Sequence, residues 1–216
     1  MKKIASPLIQ DLSEAELDTL AAAGHLRTRQ FAKHEVIFRA GSCVREIGIV
    51  LRGSVHIENL DLWGTKSILS SVGAGQAFAE TYAFCGEALM VDAVAAEHCE
   101  ILFLHTAAFT DARIEPALQD KLLRRLLAVS MRKNLSLSQR IFCTTPKTVR
   151  GRLLTYFSAQ AARCGRMEFE VPFNRQQMAD YLNLDRSALS KELCKMRDEG
   201  LLDFDKNRFV LKQLPE

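Results

Sequence analysis

The stretch from Phe173 to Leu202 constrains the fold more than any other, because two short amphipathic runs in it are separated by a tight turn. In each run, apolar residues recur at helical spacing. They are Met178, Tyr181 and Leu182 in the first run, and Leu189, Leu193 and Met196 in the second. Asn183 tolerates the left-handed backbone that such a turn needs, and Asp185 can cap the second helix. The stretch therefore predicts a helix-turn-helix.

The residues after the second helix have the pattern of a β-hairpin. Gly200 ends the helix, and the segments Leu201–Phe204 and Arg208–Leu211 flank the turn Asp205–Asn207. Helix, capped turn, helix and wing in this order favour DNA binding over a small helical pair with a solvated polar face. Glu192 departs from the usual pattern, because many such helices bury an aliphatic residue at that position.

The outward face of the second helix carries the predicted base-reading residues Arg186, Ser187, Ser190 and Lys191. Arginine and lysine can donate hydrogen bonds to guanine in the major groove, and serine can bond to bases or phosphates. Four further residues are predicted to contact phosphates, with a solvated surface position as the alternative for each. These are Arg175, Gln176, Gln177 and Lys195.

Charge is distributed unevenly along the 216 residues. Residues 1–112 contain 9 basic and 14 acidic side chains, residues 113–143 contain 7 and 2, and residues 144–216 contain 13 and 10. A polyanionic partner is therefore expected to bind the second half. The sequence has no apolar run that could span a bilayer, and no signal-peptide core follows Met1-Lys2-Lys3, so we expect a cytoplasmic protein that does not bind membranes.

The first half has the pattern of a compact antiparallel roll. A capping box of Ser13 and Glu16 predicts a short helix that ends near Ala23. Between about Leu26 and Leu104, short β-branched or aromatic segments alternate with glycines. The clearest segments are Val36–Phe38, Ile47–Leu51, Ser54–Ile57 and Ser67–Leu69, and the glycines are Gly41, Gly53, Gly64, Gly73 and Gly75.

A long helix from Pro116 to about Phe142 is predicted to carry two apolar stripes. One stripe has the spacing of a coiled-coil seam and predicts a homodimer interface; the alternative is a buried helix in a monomer. Its residues are Leu123, Leu127, Ser130, Asn134, Leu137 and Ile141. The other stripe can pack on the helix's own roll. It consists of Leu118, Leu122, Leu126 and Val129.

Pro146 breaks this helix, so we predict a hinge at Cys143–Pro146. The helix after the hinge is predicted to expose Lys147, Arg150 and Arg152. The expected fold class is α+β, with an antiparallel roll at residues 1–112, a dimerisation helix at 113–143 and a winged helix-turn-helix at 144–216.

Three segments of the roll carry a resemblance to a known family. The resemblance is to the cyclic-nucleotide-binding β-roll, and it lies in Phe31–Phe38 followed by Gly41, then in Ile49–Val55, Gly64 and Gly75–Glu80. With the helix-turn-helix downstream, the chain resembles the cyclic-AMP receptor protein / fumarate and nitrate reductase regulator (CRP/FNR) family of bacterial transcription factors. The resemblance implies a homodimer that binds a double-stranded DNA operator, and RNA polymerase as a partner if it is an activator.

The effector pocket that this resemblance implies departs from the cyclic-AMP-binding pattern. Glu80 matches the carboxylate that holds the ribose, but Ala79 replaces the neighbouring glycine, and Leu89 and Met90 occupy the positions of the phosphate-holding Arg-Ser pair. A buried phosphate without a charged partner is costly, so we expect that cyclic AMP is not the effector. The predicted pocket comprises Glu80, Leu89, Met90, Leu137 and Ser138. Glu80 is either a ligand contact or a structural hydrogen-bonding residue.

The sequence contains only weak indications of a metal, iron–sulfur or haem sensor. The six cysteines are scattered without a Cys-x-x-Cys pair, so we expect them to be reduced and mostly buried, and we expect neither a zinc site nor an iron–sulfur cluster. A haem-dependent gas or redox sensor is one alternative. Its available ligands are His56, His98, His105, Cys85 and Cys99.

Two further alternatives concern function itself. One is a constitutive regulator whose sensor pocket is empty or filled by side chains. The other is a non-DNA-binding signalling protein or an enzyme built on the roll. The sequence shows no nucleophile–base pairing, glycine-rich phosphate loop or metal triad, so we expect no catalytic activity. The sequence does not identify the effector.

Overall fold

The computed structural model describes residues 6–60 and 66–212. Its helices are α1 (Glu14–Ala22), α2 (Glu80–Cys85), α3 (Pro116–Thr144), α4 (Val149–Cys164), α5 (Arg175–Leu182) and α6 (Arg186–Asp198). Its strands are β1 (Leu26–Phe31), β2 (Val36–Phe38), β3 (Glu46–Arg52), β4 (Ser54–Leu60), β5 (Lys66–Gly73), β6 (Ala77–Phe78), β7 (Asp92–Ala95), β8 (Cys99–His105), β9 (Glu168–Glu170), β10 (Leu202–Asp205) and β11 (Arg208–Leu211). Gly64 and Met1-Lys2-Lys3, which entered the sequence predictions, lie outside the described residues.

The chain forms two compact units, residues 1–132 and 133–216, and the boundary falls within α3. The predicted division into residues 1–112, 113–143 and 144–216 stays a prediction. Helix α3 begins at Pro116, as predicted, and continues two residues beyond Phe142 to Thr144. Cys143, at the predicted hinge, is buried in the core of the second unit.

The first unit contains the predicted roll. Two four-stranded antiparallel sheets have the orders β1-β8-β3-β6 and β2-β7-β4-β5. Apolar side chains from both sheets form one core between them. They include Phe31, Val50, Val55, Ala95 and Phe103. A Cβ atom at Gly48 would lie 2.2 Å from the Phe78 ring, so the close contact of β3 with β6 requires glycine there.

Helices cover the other face of the first sheet. Ile47 and Ile49 on β3 pack with Leu102 and Leu104 on β8 in a core that also contains helical leucines. The predicted packing of the second α3 stripe on the roll is confirmed. Leu118, Leu122 and Leu126 are buried in this core, and Val129 packs against it. Ser13 and Glu16 form the predicted capping box of α1, which ends at Ala22.

The second unit has the predicted winged-helix order. Helices α4, α5 and α6 enclose a core with the small sheet β10-β11-β9. Aromatic rings dominate this core, and the Phe157 and Phe209 centroids lie 4.6 Å apart. The hairpin of β10 and β11 pairs Leu202 with Leu211, which confirms the predicted wing.

All six cysteines are free, but the prediction that most of them are buried is wrong. Only Cys99 and Cys143 are buried. The exposed ones lie at the ends of helices or on outward faces, where no core surrounds them. They are Cys43, Cys85, Cys164 and Cys194.

Candidate nucleic-acid interface

The turn between α5 and α6 has the predicted geometry. Asn183 ends α5 in the left-handed conformation, with φ 52° and ψ 54°. The Arg152 guanidinium donates hydrogen bonds to the carbonyl oxygens of Leu182 at 3.1 Å and Asn183 at 2.7 Å. Arg140 of α3 donates to the carbonyl of Tyr181 at 3.1 Å. Two arginines therefore satisfy the carbonyl groups that the end of α5 leaves without helical partners.

Asp185 caps α6 as predicted. Its Oδ1 accepts hydrogen bonds from the backbone N–H groups of Ser187 at 2.8 Å and Ala188 at 2.9 Å, and from the Ser187 hydroxyl. The Ser187 hydroxyl, followed by the Ala188 N–H, lowers the pKa of the Asp185 carboxyl, because these donors stabilise its charged form. The start of α6 is thus stabilised by residues adjacent to it in sequence.

One face of α6 is buried and the opposite face is exposed. Leu189, Leu193 and Met196 are fully buried in the core. The predicted base-reading residues come together on the other side, where Arg186, Ser187 and Lys191 are exposed and Ser190 is half-buried. Lys195, a predicted phosphate contact, is also exposed. The fold thus presents a polar, largely cationic surface along the first half of α6.

The predicted phosphate contacts on α5 also have partners within the protein. Arg175 is half-buried, with its guanidinium 4.9 Å from the Phe204 ring centroid and 5.0 Å from that of Phe209, and this burial lowers its pKa. Gln177 forms a capping box with Asn174, and Gln176 donates to Asp180 at 2.9 Å. Their contacts with phosphates stay predictions.

The prediction that Arg150 and Arg152 are exposed is wrong, whereas Lys147 is exposed. Both arginines are half-buried because they bond to elements far away in the sequence. Arg150 forms ion pairs with Glu192 on α6 at 2.6 Å and with Glu199, the residue that follows α6, at 2.8 Å. Glu192 therefore does not occupy an aliphatic position of the core but the side of α6 that faces α4.

The predicted dimer seam on α3 is exposed in the single chain. Leu127 is 57% exposed, and Leu123, Leu137 and Ile141 are also exposed. Asn134 is exposed and Ser130 half-buried. Outside this seam, α3 also exposes three large apolar side chains. They are Met131, Leu135 and Phe142.

The residues of the predicted effector pocket differ widely in burial. Glu80 is 4% exposed and Leu89 is also buried, whereas Met90 is 77% exposed. Leu137 and Ser138 are exposed on α3. Ala79, which precedes Glu80, has a φ of 61°, the left-handed conformation that favours glycine. The backbone thus keeps a glycine-like turn at this position although the residue is alanine.

Within the described residues, no group of three or more His, Cys, Asp or Glu side chains could hold a metal ion. No helix in residues 6–60 and 66–212 has the length and apolar character of a membrane span.

A surface cavity of about 390 Å³ lies beside the start of α5 and the turn of the wing. Its lining residues are Pro172, Phe173, Asn174, Arg175, Lys206 and Asn207.

Two family models match the chain. The model of the cyclic nucleotide-binding domain matches residues 28–113, and the model of the Crp-like helix-turn-helix domain matches residues 151–216. The matches coincide with the roll and with the winged helix, and the segment between them contains the whole of α3.

Several solved structures share the fold. FixK2 from Bradyrhizobium japonicum is 19% identical, with a TM-score of 0.51 over 87% of this chain and 93% of that one. CprK in complex with OCPA is 13% identical, with a TM-score of 0.64 over 94% and 91%. A cyclic nucleotide-binding domain from Methylobacillus flagellatus is 20% identical, with a TM-score of 0.56 over 68% and 83%. Comparison with curated proteins gives no match.

Proposed function

Because the chain belongs to the CRP/FNR family of DNA-binding transcriptional regulators, we propose that it binds a specific operator as a homodimer, under the control of an effector other than cyclic AMP. The observation that carries this proposal is the exposed face of α6, which we call the recognition helix. Its side chains can donate to base edges while its apolar face anchors it in the core. We place this action in the cytoplasm, where a bacterial chromosome lies.

Within this proposal, Arg186 and Lys191 read base edges in the major groove, and Ser187 and Ser190 contact bases or phosphates. Arginine can bind O6 and N7 of guanine with two parallel hydrogen bonds, which is a specific contact. The backbone phosphates are contacted by four other residues, and these contacts set the register of the protein on the duplex. The four are Arg175, Gln176, Gln177 and Lys195.

The proposed dimer follows from the exposed seam on α3. Leu123, Leu127, Leu137 and Ile141 would be covered by the same residues of a second copy, in an isologous interface. Two recognition helices about 34 Å apart would then reach successive turns of the major groove. Asn134 in the seam favours in-register pairing.

The proposed control acts through two arrangements of the dimer. An effector that binds the roll more tightly in one arrangement shifts the population toward it and changes the distance between the recognition helices. The buried Leu89 at a phosphate-holding position supports an effector that is not an anionic cyclic nucleotide. If the output is activation, RNA polymerase is the further partner.

Selection of duplexes from a random pool tests DNA recognition. The proposal expects a two-fold symmetric sequence to be enriched, and affinity for it to fall steeply with added salt, because cationic contacts release counterions. Failure to enrich any sequence, together with a flat salt dependence, would exclude operator binding and favour a signalling protein outside transcription.

The nature of the sensor is tested separately by the absorption spectrum and native mass of the purified protein. An apolar or neutral ligand that co-purifies would support an effector pocket. A Soret band would instead identify the haem alternative, and a ligand-free protein that binds its operator fully would identify the constitutive one.

A further inference from the structure

One arginine outside the recognition helix connects it to the helix that follows Pro146. Arg150 lies in the first turn of α4, and its Nε donates to Oε1 of Glu192 at 2.6 Å. Its Nη2 lies 3.0 Å from Oε1 of Glu199, and its Nη1 lies 2.8 Å from Oε2 of the same carboxylate. We call Arg150, Glu192 and Glu199 the arginine clamp.

The clamp is partly withdrawn from water. The Arg150 side chain is 33% exposed and that of Glu192 is 20% exposed. The carboxylates of Glu199 and Glu192 raise the pKa of Arg150, and Arg150 lowers the pKa of Glu199. Arg150 and Glu199 therefore each favour the charged form of the other. The planar guanidinium donates from several nitrogens at once, which a lysine ammonium in its place could not do in this geometry.

The positions of the two glutamates explain what the clamp can fix. Glu192 lies within the recognition helix, and Glu199, seven residues later, is the residue that caps its end with right-handed backbone, so the two lie about two turns apart on one side. The buried contacts of Leu189, Leu193 and Met196 hold the helix against the core but are not directional. Two charged hydrogen-bonded contacts on one side are directional, so rotation or sliding of α6 must break at least one of them.

We propose that Arg150 is a positioning residue for operator recognition: the arginine clamp fixes the rotation of the recognition helix at which Arg186 and Lys191 reach base edges. The inference rests on the proposed function. Arg150 itself need not touch DNA, so its loss is expected to reduce discrimination between operator and random duplex more than affinity for DNA in general.

Four variants test this role, each compared with wild type on the operator that wild type selects and on a random duplex at the same salt concentration. Arg150→Ala removes the clamp, and Arg150→Lys keeps the charge without the fork. The double variant Glu192→Gln/Glu199→Gln removes the clamp from the other side. Arg163→Ala is the matched control, because it removes an exposed arginine from the last turn of the same helix.

The expected result is a fall of about tenfold in the operator-to-random affinity ratio for Arg150→Ala, the size of the effect of one mismatched base pair. Arg150→Lys should lie between Arg150→Ala and wild type, and Arg163→Ala should keep the wild-type ratio. The double variant is decisive, because it makes the protein more positive. Electrostatics alone would tighten its binding to every duplex, whereas the positioning role expects its ratio to fall.

The inference would be overturned if Arg150→Ala changed the affinity for operator and for random duplex by the same factor, and if the double variant kept the wild-type operator-to-random affinity ratio. Thermal unfolding of each variant, followed without DNA, shows whether it is folded at the assay temperature; if Arg150→Ala is not, the double variant decides. A wild-type protein that selects no sequence would refute the proposed function itself, which is a different outcome.

Discussion

Helices α6 and α2 differ in how their first turns are capped. At the recognition helix, Asp185 is exposed and accepts two backbone hydrogen bonds, so the first turn is stabilised by its own sequence neighbours. At α2 in the roll, Glu80 is buried in the first turn, and Ala79 before it has left-handed backbone and provides no side-chain cap. The start of α2 thus lacks the side-chain cap that Asp185 provides for α6, and the backbone N–H of Ala83 donates to the Ala79 carbonyl at 2.9 Å.

This difference matches the proposed roles of the two regions. A helix that enters the major groove should keep its shape whether or not DNA is bound, and local capping together with the arginine clamp provides that. A segment beside a sensor pocket should respond to what fills the pocket, and a helix start without a cap can do so at low cost.

The largest effect is expected from loss of the dimer, which shows whether one recognition helix is enough to bind an operator. Leu127→Lys places a charge in the predicted seam, and we expect a monomer whose operator affinity falls by about 10²–10⁴-fold, because the second half-site no longer contributes. Sedimentation equilibrium and operator titration measure the two effects. Leu135→Lys is the control, since Leu135 is similarly exposed on α3 but lies outside the seam, and this variant should remain dimeric. A dimeric Leu127→Lys protein would contradict the assigned interface.

Acid unfolding tests the local cap. Since the folded-state pKa of Asp185 is lowered, its contribution to stability is complete above the unfolded value of about 3.9 and is lost as pH falls through the folded value. Asp185→Asn keeps a capping side chain that does not titrate, so its free energy of unfolding should fall less than that of wild type below about pH 4. Asp185→Ala should be less stable than both at neutral pH. Parallel acid curves for wild type and Asp185→Asn would show that the cap carries no charge-dependent stability.

In the roll, the left-handed backbone at Ala79 predicts that a substitution raises stability, not lowers it. Ala79→Gly should raise the free energy of unfolding by about 0.5–1 kcal/mol, because glycine adopts a positive φ without the steric cost that alanine has. Ala83→Gly within α2 is the control, and it should lower stability by about 1 kcal/mol. Denaturant unfolding of the two variants measures both. Destabilisation by Ala79→Gly would mean that the alanine methyl group packs too well to be removed.

Cyclic AMP should produce the smallest effect. With leucine and methionine at the phosphate-holding positions, we expect no increase in the midpoint of thermal unfolding at millimolar cyclic AMP, whereas a ligand at a hundred times its Kd would stabilise the protein by about 2.7 kcal/mol. A clear increase would restore the cyclic nucleotide as effector while leaving the DNA-binding account intact.

The contrast between local and distant interactions also explains how much the sequence predicts. The caps at Ser13 and Asp185 and the turn at Asn183 involve residues within four positions, so residue types and spacing were sufficient. The arginine clamp is not predictable in this way, because Arg150 and Glu192 are 42 residues apart and the helical periodicity of α4 contains no information about which carboxylates pack beside it.

The roll shows the same limit. Its antiparallel character follows from short β-branched segments and glycines. The sequence pattern does not single out β8, which lies between β1 and β3 in the first sheet. Likewise, Leu89 and Met90 are adjacent in sequence, yet one is buried and the other is 77% exposed. Burial in a pocket depends on which distant strands surround each side chain, and a single sequence does not give that.

Arg186→Ala tests most directly whether the exposed face of the recognition helix reads base edges. Binding of wild type and variant is measured on the selected operator and on a random duplex at one salt concentration. A base-reading arginine predicts a loss of about 1–3 kcal/mol on the operator and little change on random DNA. An equal loss on both duplexes would make Arg186 a phosphate contact and contradict the account.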